Sequence, residues 1–294
     1  MISSKSMYSK YFSEYRLSMN QIKELQKTLL EMFIDIKEVC DKYQINYMLS
    51  GGTLLGAVRH KGFIPWDDDI DIMMLRKDYE RFAAVFQREL AEKYELAEPL
   101  SDSKYVSKAP KIFKKGTTYV EVASCGIQKF DMIFIDVFII ENMAEPGLQR
   151  KIISKIYDFA FKAASVCVDY KYPSSVIIEK GKVEKDVKEY YTLRRRLGWI
   201  FSHVGGMRFY LKLVDKIGKK YKESNWLGVP SAISYNREIF DKKVFTELTE
   251  GEFCGIAVKI PKQYDVYLTN LYGDYMELPP ENKREVHVAY KLLL

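Results

Sequence analysis

Four aspartates stand within five positions of this 294-residue chain: Asp67, Asp68, Asp69 and Asp71. Like charges packed so closely repel one another, so something positive must compensate. The segment Asp68–Met74 alternates acid and apolar residues as a strand does, and in a strand residues two apart face one side, about 6.6 Å from each other. Asp69 and Asp71 would then aim at one point while Ile70 and Ile72 anchor the opposite side in the core. Such a pair suits a divalent cation that keeps its other positions for water and substrate phosphate oxygens. A third carboxylate from a neighbouring strand would complete the set. Asp136, inside Phe134-Ile135-Asp136-Val137-Phe138, is the candidate, because an acid in so apolar a run is costly unless it binds something. The plainer alternative is a solvated acidic turn. Against it stands Gly51-Gly52 upstream, where a strand gives way to a helix. A glycine pair at such a junction lets the backbone approach a phosphate and present N–H groups to it.

The rest of the composition narrows the choice of metal. Three histidines (His60, His203, His287) and four scattered cysteines (Cys40, Cys125, Cys167, Cys254) offer no zinc knuckle. Carboxylates are left as ligands, which points to Mg²⁺ or Mn²⁺. The spacing Asp67-x-Asp69-x-Asp71 also matches the start of a calcium-binding EF-hand loop, but Ile72 stands where that loop needs glycine and Asp78 where it needs glutamate, which excludes it. His203 and His287 read as structural. With 47% apolar and 29% charged residues the chain is globular, and a net charge of +6 is too mild for a nucleic-acid partner to be expected. No run of about 18 apolar residues marks a membrane span, and the first twenty residues lack a secretory signal. The expected location is the cytoplasm, with reduced thiols.

The elements that must position these residues follow from periodicity. Ile22, Leu25, Leu29, Phe33, Ile36 and Cys40 recur at helical spacing between Ser18 and Tyr43, with Ser18 or Asn20 as the cap. A short strand, Tyr47–Ser50, precedes the glycine pair; Thr53 can cap a helix through Arg59; a second helix is predicted from about Asp78 to Tyr94. Lys111–Phe113 and Thr117–Val122 read as a hairpin pair, and Phe130–Ile140 as an apolar strand. The C-terminal stretch reads as short strands and turns. The fold class expected is α+β, a mixed sheet flanked by helices with a basic helical insertion. The expected division is a catalytic core over 1–147, a helical region over 148–230, and a segment over 231–294 that completes the core.

The run from Leu49-Ser50-Gly51-Gly52-Thr53-Leu54-Leu55-Gly56 through Arg59-His60-Lys61-Gly62 to Pro65-Trp66-Asp67-Asp68-Asp69-Ile70-Asp71 closely resembles the hallmark of the LicD family, the phosphocholine transferases related to fukutin. Tyr267-Leu268, Leu271-Tyr272-Gly273-Asp274-Tyr275, Leu278-Pro279-Pro280 and Arg284 are similar to that family's closing segment. The resemblance implies a nucleotidyltransferase-type fold binding two divalent cations and a nucleoside diphosphate donor. By the same resemblance Ser50, Gly51, Gly52 and Thr53 would meet the donor's phosphates, and Asp69, Asp71 and Asp136 would bind the metals, with Asp136 also the general base. Arg59 and Lys61 could neutralise the diphosphate, and Asp67 and Asp68 would orient ligands or bend the loop. The implied donor is CDP-choline, and the implied acceptor is a hydroxyl of a surface glycan, a lipid-linked glycan or a teichoic acid precursor. Trp66 could form part of an aromatic cage for the quaternary ammonium or simply anchor its loop.

Thirteen Lys and Arg residues against five acids between Glu179 and Lys222 give that tract +8, leaving the remainder slightly acidic. The tract could meet an anionic membrane surface, acceptor phosphates, or only water. Two rival functions share the metal site or the fold: nucleotidyl transfer onto a sugar phosphate or small molecule, and a non-catalytic glycan-binding or membrane-scaffold protein. A nucleotide-sugar glycosyltransferase, which also uses an Asp-x-Asp site, fits less well because it lacks the paired glycines at this spacing.

Overall fold

Ser18 sets the start of the longest N-terminal helix. Its Oγ accepts the Gln21 N–H while the Gln21 side chain accepts the Ser18 N–H, a capping box that opens α2 (Met19–Lys42) after the short α1 (Ser4–Tyr11). The stripe expected from periodicity is fully buried, and it lies on a sheet. The computed structural model describes residues 4–102, 104–125, 127, 129–280, 284 and 288–294, and His287 falls outside them.

The central strands are β1 (Met48–Leu49), β2 (Asp71–Leu75), β3 (Tyr94–Ala97), β4 (Lys111–Lys114) and β6 (Phe134–Asn142), with β5 (Thr118–Glu121) elsewhere. They lie side by side in the order β1-β2-β6-β4-β3. β2 and β6 are parallel and the other neighbours antiparallel, so the sheet is mixed, as expected. Between β1 and β2 comes α3 (Gly51–His60), and α4 (Arg76–Glu89) follows β2 directly. At the far end of β6, β7 (Trp226–Gly228) pairs with it and with β8 (Ile239–Asp241).

Four helices, α5 (Leu148–Lys171), α6 (Ser175–Val183), α7 (Lys185–His203) and α8 (Gly206–Gly218), fill the middle of the chain. α5 and α8 bury Ile153, Tyr157, Ala160, Tyr210 and Leu211 in a core separate from that of the sheet. α6 and the start of α7 join a third cluster with Met7, Phe12 and Val122. The chain closes with α9 (Lys243–Thr246), a hairpin of β9 (Leu248–Phe253) and β10 (Ile256–Pro261), α10 (Tyr264–Tyr272) and β11 (Ala289–Leu293).

Several local expectations are corrected. The strand at the acids begins at Asp71, not Asp68, so Asp69 lies in the preceding loop. The reason is the brevity of β1: its two residues face only Ile72 and Met73, and the ladder ends one step earlier at Asp71. Thr53 does not cap α3, because the helix already begins at Gly51. β4 and β5 form no hairpin; β4 pairs with β3 and β6, and β5 pairs with the C-terminal β11. The stretch around Tyr94 leaves the helix to become β3, and Tyr264–Tyr272 is a helix with Tyr267 and Leu268 fully buried.

Candidate active site

The ladder between β1 and β2 ends where Ser50 donates its N–H to the Asp71 carbonyl at 3.0 Å. The chain then turns through Gly51, whose φ of +49° is a conformation that favours glycine, straight into α3. The first turn of a helix points backbone N–H groups outward with no partner inside the helix, a natural place for phosphate. A Cβ on Gly51 would sit 3.6 Å from Asp71 Oδ2, and one on Gly52 only 3.0 Å from Asp67 Oδ2. The glycine pair and the carboxylates therefore share one small space.

The parallel pairing of β2 with β6 puts Asp71 directly beside Asp136 in register. Ile70 and Ile72 are fully buried on the other side, as the alternation required. Asp71 is half-buried, and desolvation there holds its carboxyl well above the usual carboxylate range; the charges of Asp69, Asp136 and Asp67 push it the same way, and Lys111 opposes them. Asp67, Asp68 and Asp69 form a second cluster, each offering an oxygen within 4.8 Å of the others. The Tyr119 hydroxyl donates to Asp68 Oδ2 at 3.2 Å. Gln26 of α2 fixes the loop from below, donating to the Asp67 carbonyl at 2.8 Å. A cavity of about 110 Å³ adjoins these acids, lined by Asp68, Asp69, Asp136, Lys111, Tyr119 and Glu121 among others. That space suits ions and waters, whereas a nucleotide needs several hundred Å³.

Carboxylates crowded around one half-buried acid are the donor set of a hard divalent cation, and these residues fit Mg²⁺ or Mn²⁺. Lys111 supplies part of the missing positive charge: its Nζ lies 3.0 Å from Asp136 Oδ2 and 3.4 Å from the centre of the Phe134 ring.

The remaining residues singled out in the sequence are placed as follows. Ser50 and Thr53 are both buried. Thr53 Oγ1 accepts the Asp71 N–H at 2.9 Å, so it holds the strand that bears the acid. Arg59 donates to the carbonyls of Tyr275 and Glu277 at 2.7 and 3.1 Å, clasping the C-terminal segment. Lys61 stands past the C-terminal end of α3, about 15 Å of helix rise from Gly51, with its carbonyl accepting the Cys254 N–H. Trp66 packs partly into the main core, and the Arg284 guanidinium lies 4.1 Å from its ring centre. The loop-anchor role is therefore visible, and one face of the ring already carries a cation.

α10 brings in residues that sequence reasoning had placed only within a family-like closing segment. The Tyr267 hydroxyl donates to Glu238 Oε2 at 2.6 Å, receives the Gly51 N–H at 3.4 Å, and lies 3.3 Å from Ser50 Oγ. Glu238 is 4% exposed, and burial raises its carboxyl. Tyr272 reaches the same glycine, and burial together with the charges of Asp71 and Asp67 raises its phenol. Lys111 and Tyr119 had no local motif to mark them; the signal that would have found them is strand pairing.

Against known proteins, residues 44–166 match the family described as LicD/FKTN/FKRP, nucleotidyltransferase domain. The matched span runs from before β1 through β6 into α5 and contains the glycine pair with Asp67, Asp68, Asp69, Asp71 and Asp136. This stretch of the chain is thus similar to a nucleotidyltransferase domain. Beyond the domain, the chain is 29% identical over 269 residues to the lipopolysaccharide cholinephosphotransferase LicD of Haemophilus influenzae, covering 90% of this chain and 95% of that protein. Shorter matches are to uncharacterized proteins of Rickettsia typhi, 43% identical over 58 residues, and Rickettsia prowazekii, 47% identical over 51 residues; each spans 19% of the relative and at most 20% of this chain. The printed names of these similar proteins agree with the transferase class expected from the residues. No helix among the described residues is long and apolar enough to cross a membrane.

Proposed function

We propose that this protein transfers phosphocholine, or a closely similar phospho-alcohol, from a CDP-linked donor to a glycan hydroxyl. The observation that carries the reading is the side-by-side placement of Asp71 and Asp136 next to the glycine-led start of α3. Similarity across nearly the whole chain to a lipopolysaccharide cholinephosphotransferase supports the same donor group and a glycan acceptor. A lipopolysaccharide-like or teichoic acid precursor fits that class.

Asp69, Asp71 and Asp136 would hold two Mg²⁺ or Mn²⁺ ions, which supply charge neutralisation at the entering and leaving oxygens of an in-line displacement. The chain's own groups do the rest. Gly51 and Gly52 let the donor diphosphate lie against the backbone, where the N–H groups of α3 receive it. Lys111, beside Asp136, offsets negative charge as the phosphoanhydride bond breaks. Asp136 takes the proton of the acceptor hydroxyl as its oxygen bonds to the choline-bearing phosphorus, and CMP departs. Thr53 and Tyr267 keep Asp71 and Gly51 in place.

Purified protein incubated with CDP-choline, CDP-ethanolamine, CTP or UDP-sugars in Mg²⁺ should release CMP from a CDP-alcohol and label a glycan acceptor. Asp136→Asn should lower that rate by at least about 10³-fold. Pyrophosphate release from CTP with a nucleotidylated acceptor would overturn the reading in favour of nucleotidyl transfer, and full function with Asp136→Asn would favour a non-catalytic role.

A further inference from the structure

The +8 tract does not act as one surface. Lys180 pairs with Glu14, Lys182 with Glu179, Lys219 with Asp215, and the half-buried Arg194 with Asp169 at 2.5 Å. These cations already have acidic partners, and the Arg194 pair joins α7 to α5. Those that remain join lysines from outside the tract. On α5, Ile152, Ile156 and Phe159 recur at i, i+4 and i+7 and are 49, 43 and 53% exposed, although that spacing ordinarily faces a core. Lys151, Lys155 and Lys162 flank them on the same exposed face. No acid on α5 is exposed: Asp158 is half-buried and accepts the Tyr235 N–H at 3.0 Å, and Asp169 is held by Arg194.

The turn from α7 into α8 continues this face. Phe159 meets Phe201 at 5.6 Å between ring centres, Phe201 meets Tyr210 at 5.7 Å, and Tyr210 meets Phe209 at 5.2 Å. Phe209 is 54% exposed at the start of α8, beside the exposed Val204. Arg208, Lys212 and Lys216 are exposed along α8, and Arg195 and Arg196 along α7; none of the five has an ion-pair partner among the described residues. From Tyr190 to Val214 the sequence contains no acid at all.

We propose that the exposed face of α5 with the α7–α8 turn is a docking surface for an anionic lipid bilayer. Its apolar residues would enter the boundary between headgroups and acyl chains while the flanking lysines and arginines meet lipid phosphates, the pattern of a helix lying in a membrane plane. A cationic rim whose acids, Asp158, Asp169 and Asp215, are half-buried and engaged selects this occupant over a protein partner, whose interface would present charges of both signs. The inference does not rest on the phosphocholine reading, because its test reads binding and not turnover.

The full-length protein should co-sediment with vesicles of phosphatidylcholine containing 30% phosphatidylglycerol, with far weaker binding to phosphatidylcholine alone. Lys155→Glu with Lys212→Glu should weaken binding at least about 25-fold, about fivefold for each cation lost. Ile156→Ser with Phe209→Ser should weaken it about tenfold while an unchanged far-ultraviolet circular dichroism spectrum reports an intact fold. Neither pair touches the acids or the glycine pair, so CMP release from a soluble donor should not change. Absence of binding to the anionic vesicles overturns the proposal. So does equal binding to soluble polyphosphate with no effect of the serine pair, which would make the face a polyanion site. Self-association abolished by the serine pair, without vesicle binding, overturns it in favour of a second copy.

Discussion

Asp71 is held where an isolated carboxylate is worst off. It is half-buried, Asp136 stands beside it in register, and Asp67 and Asp69 add their charge across the loop. In a chelator its negative form is a liability to the fold, so replacing it should relieve repulsion even as it removes a ligand of the proposed metal. Asp71→Asn is expected to lower CMP release at least about 10³-fold while the melting temperature in EDTA stays the same or rises. A scan in EDTA beside one in Mg²⁺ tests this: the wild type should gain more from Mg²⁺ than the variant. A large drop in melting temperature in EDTA would mean that Asp71 serves the fold and not the chemistry.

α5 and α7 owe their close approach to one residue. A Cβ added to Gly198 would come 2.0 Å from the Val166 carbonyl oxygen, a backbone atom that cannot swing aside. Gly198→Ala should therefore destabilise the protein by about 3 kcal/mol, seen in urea unfolding. The acids and glycines were legible in the sequence because chemistry concentrates them in adjacent positions, and α2 was legible because one stripe of six apolar residues repeats at a single period. Elements whose partners are distant in sequence were not. The ladder that sets where β2 begins depends on how short β1 is, and β5 pairs with β11 more than 160 residues further on. α10 was missed because Tyr and Val suit strands as well as helices, and the burial of Tyr267 against the glycine turn and of Leu268 in the main core fixes its place. Lys111 reached the site by the same route, through a strand neighbour.

At the scale of the whole molecule, the sheet and the helical region meet across a cleft of about 390 Å³ lined in part by Arg76, Glu141, Lys108 and Tyr157. Arg76 pairs with the buried Glu141 there. Lys108 donates to the Ala232 carbonyl and lies 4.4 Å from the Phe161 ring centre on α5; burial pushes its amine down to about 8. An unfolded lysine titrates near 10.4, so between pH 8 and 10.4 the native state binds fewer protons and stability rises with pH. Below pH 8 that contribution is absent and the buried charge is a constant cost. Lys108→Met should remove this dependence, so its stability relative to the wild type should fall by about 2–3 kcal/mol from pH 7 to pH 10.5 in denaturant titrations. A relative stability that does not change with pH would contradict it. The Tyr267 hydroxyl, which reaches Ser50 and Gly51 from α10, joins positions 216 or more residues apart in the chain. During synthesis the glycine turn must wait, already made but without its support, until α10 has left the ribosome. The order of translation thus delays the completion of the turn until α10 has been made, and a nascent chain that stops short of α10 would carry the acids without the finished turn.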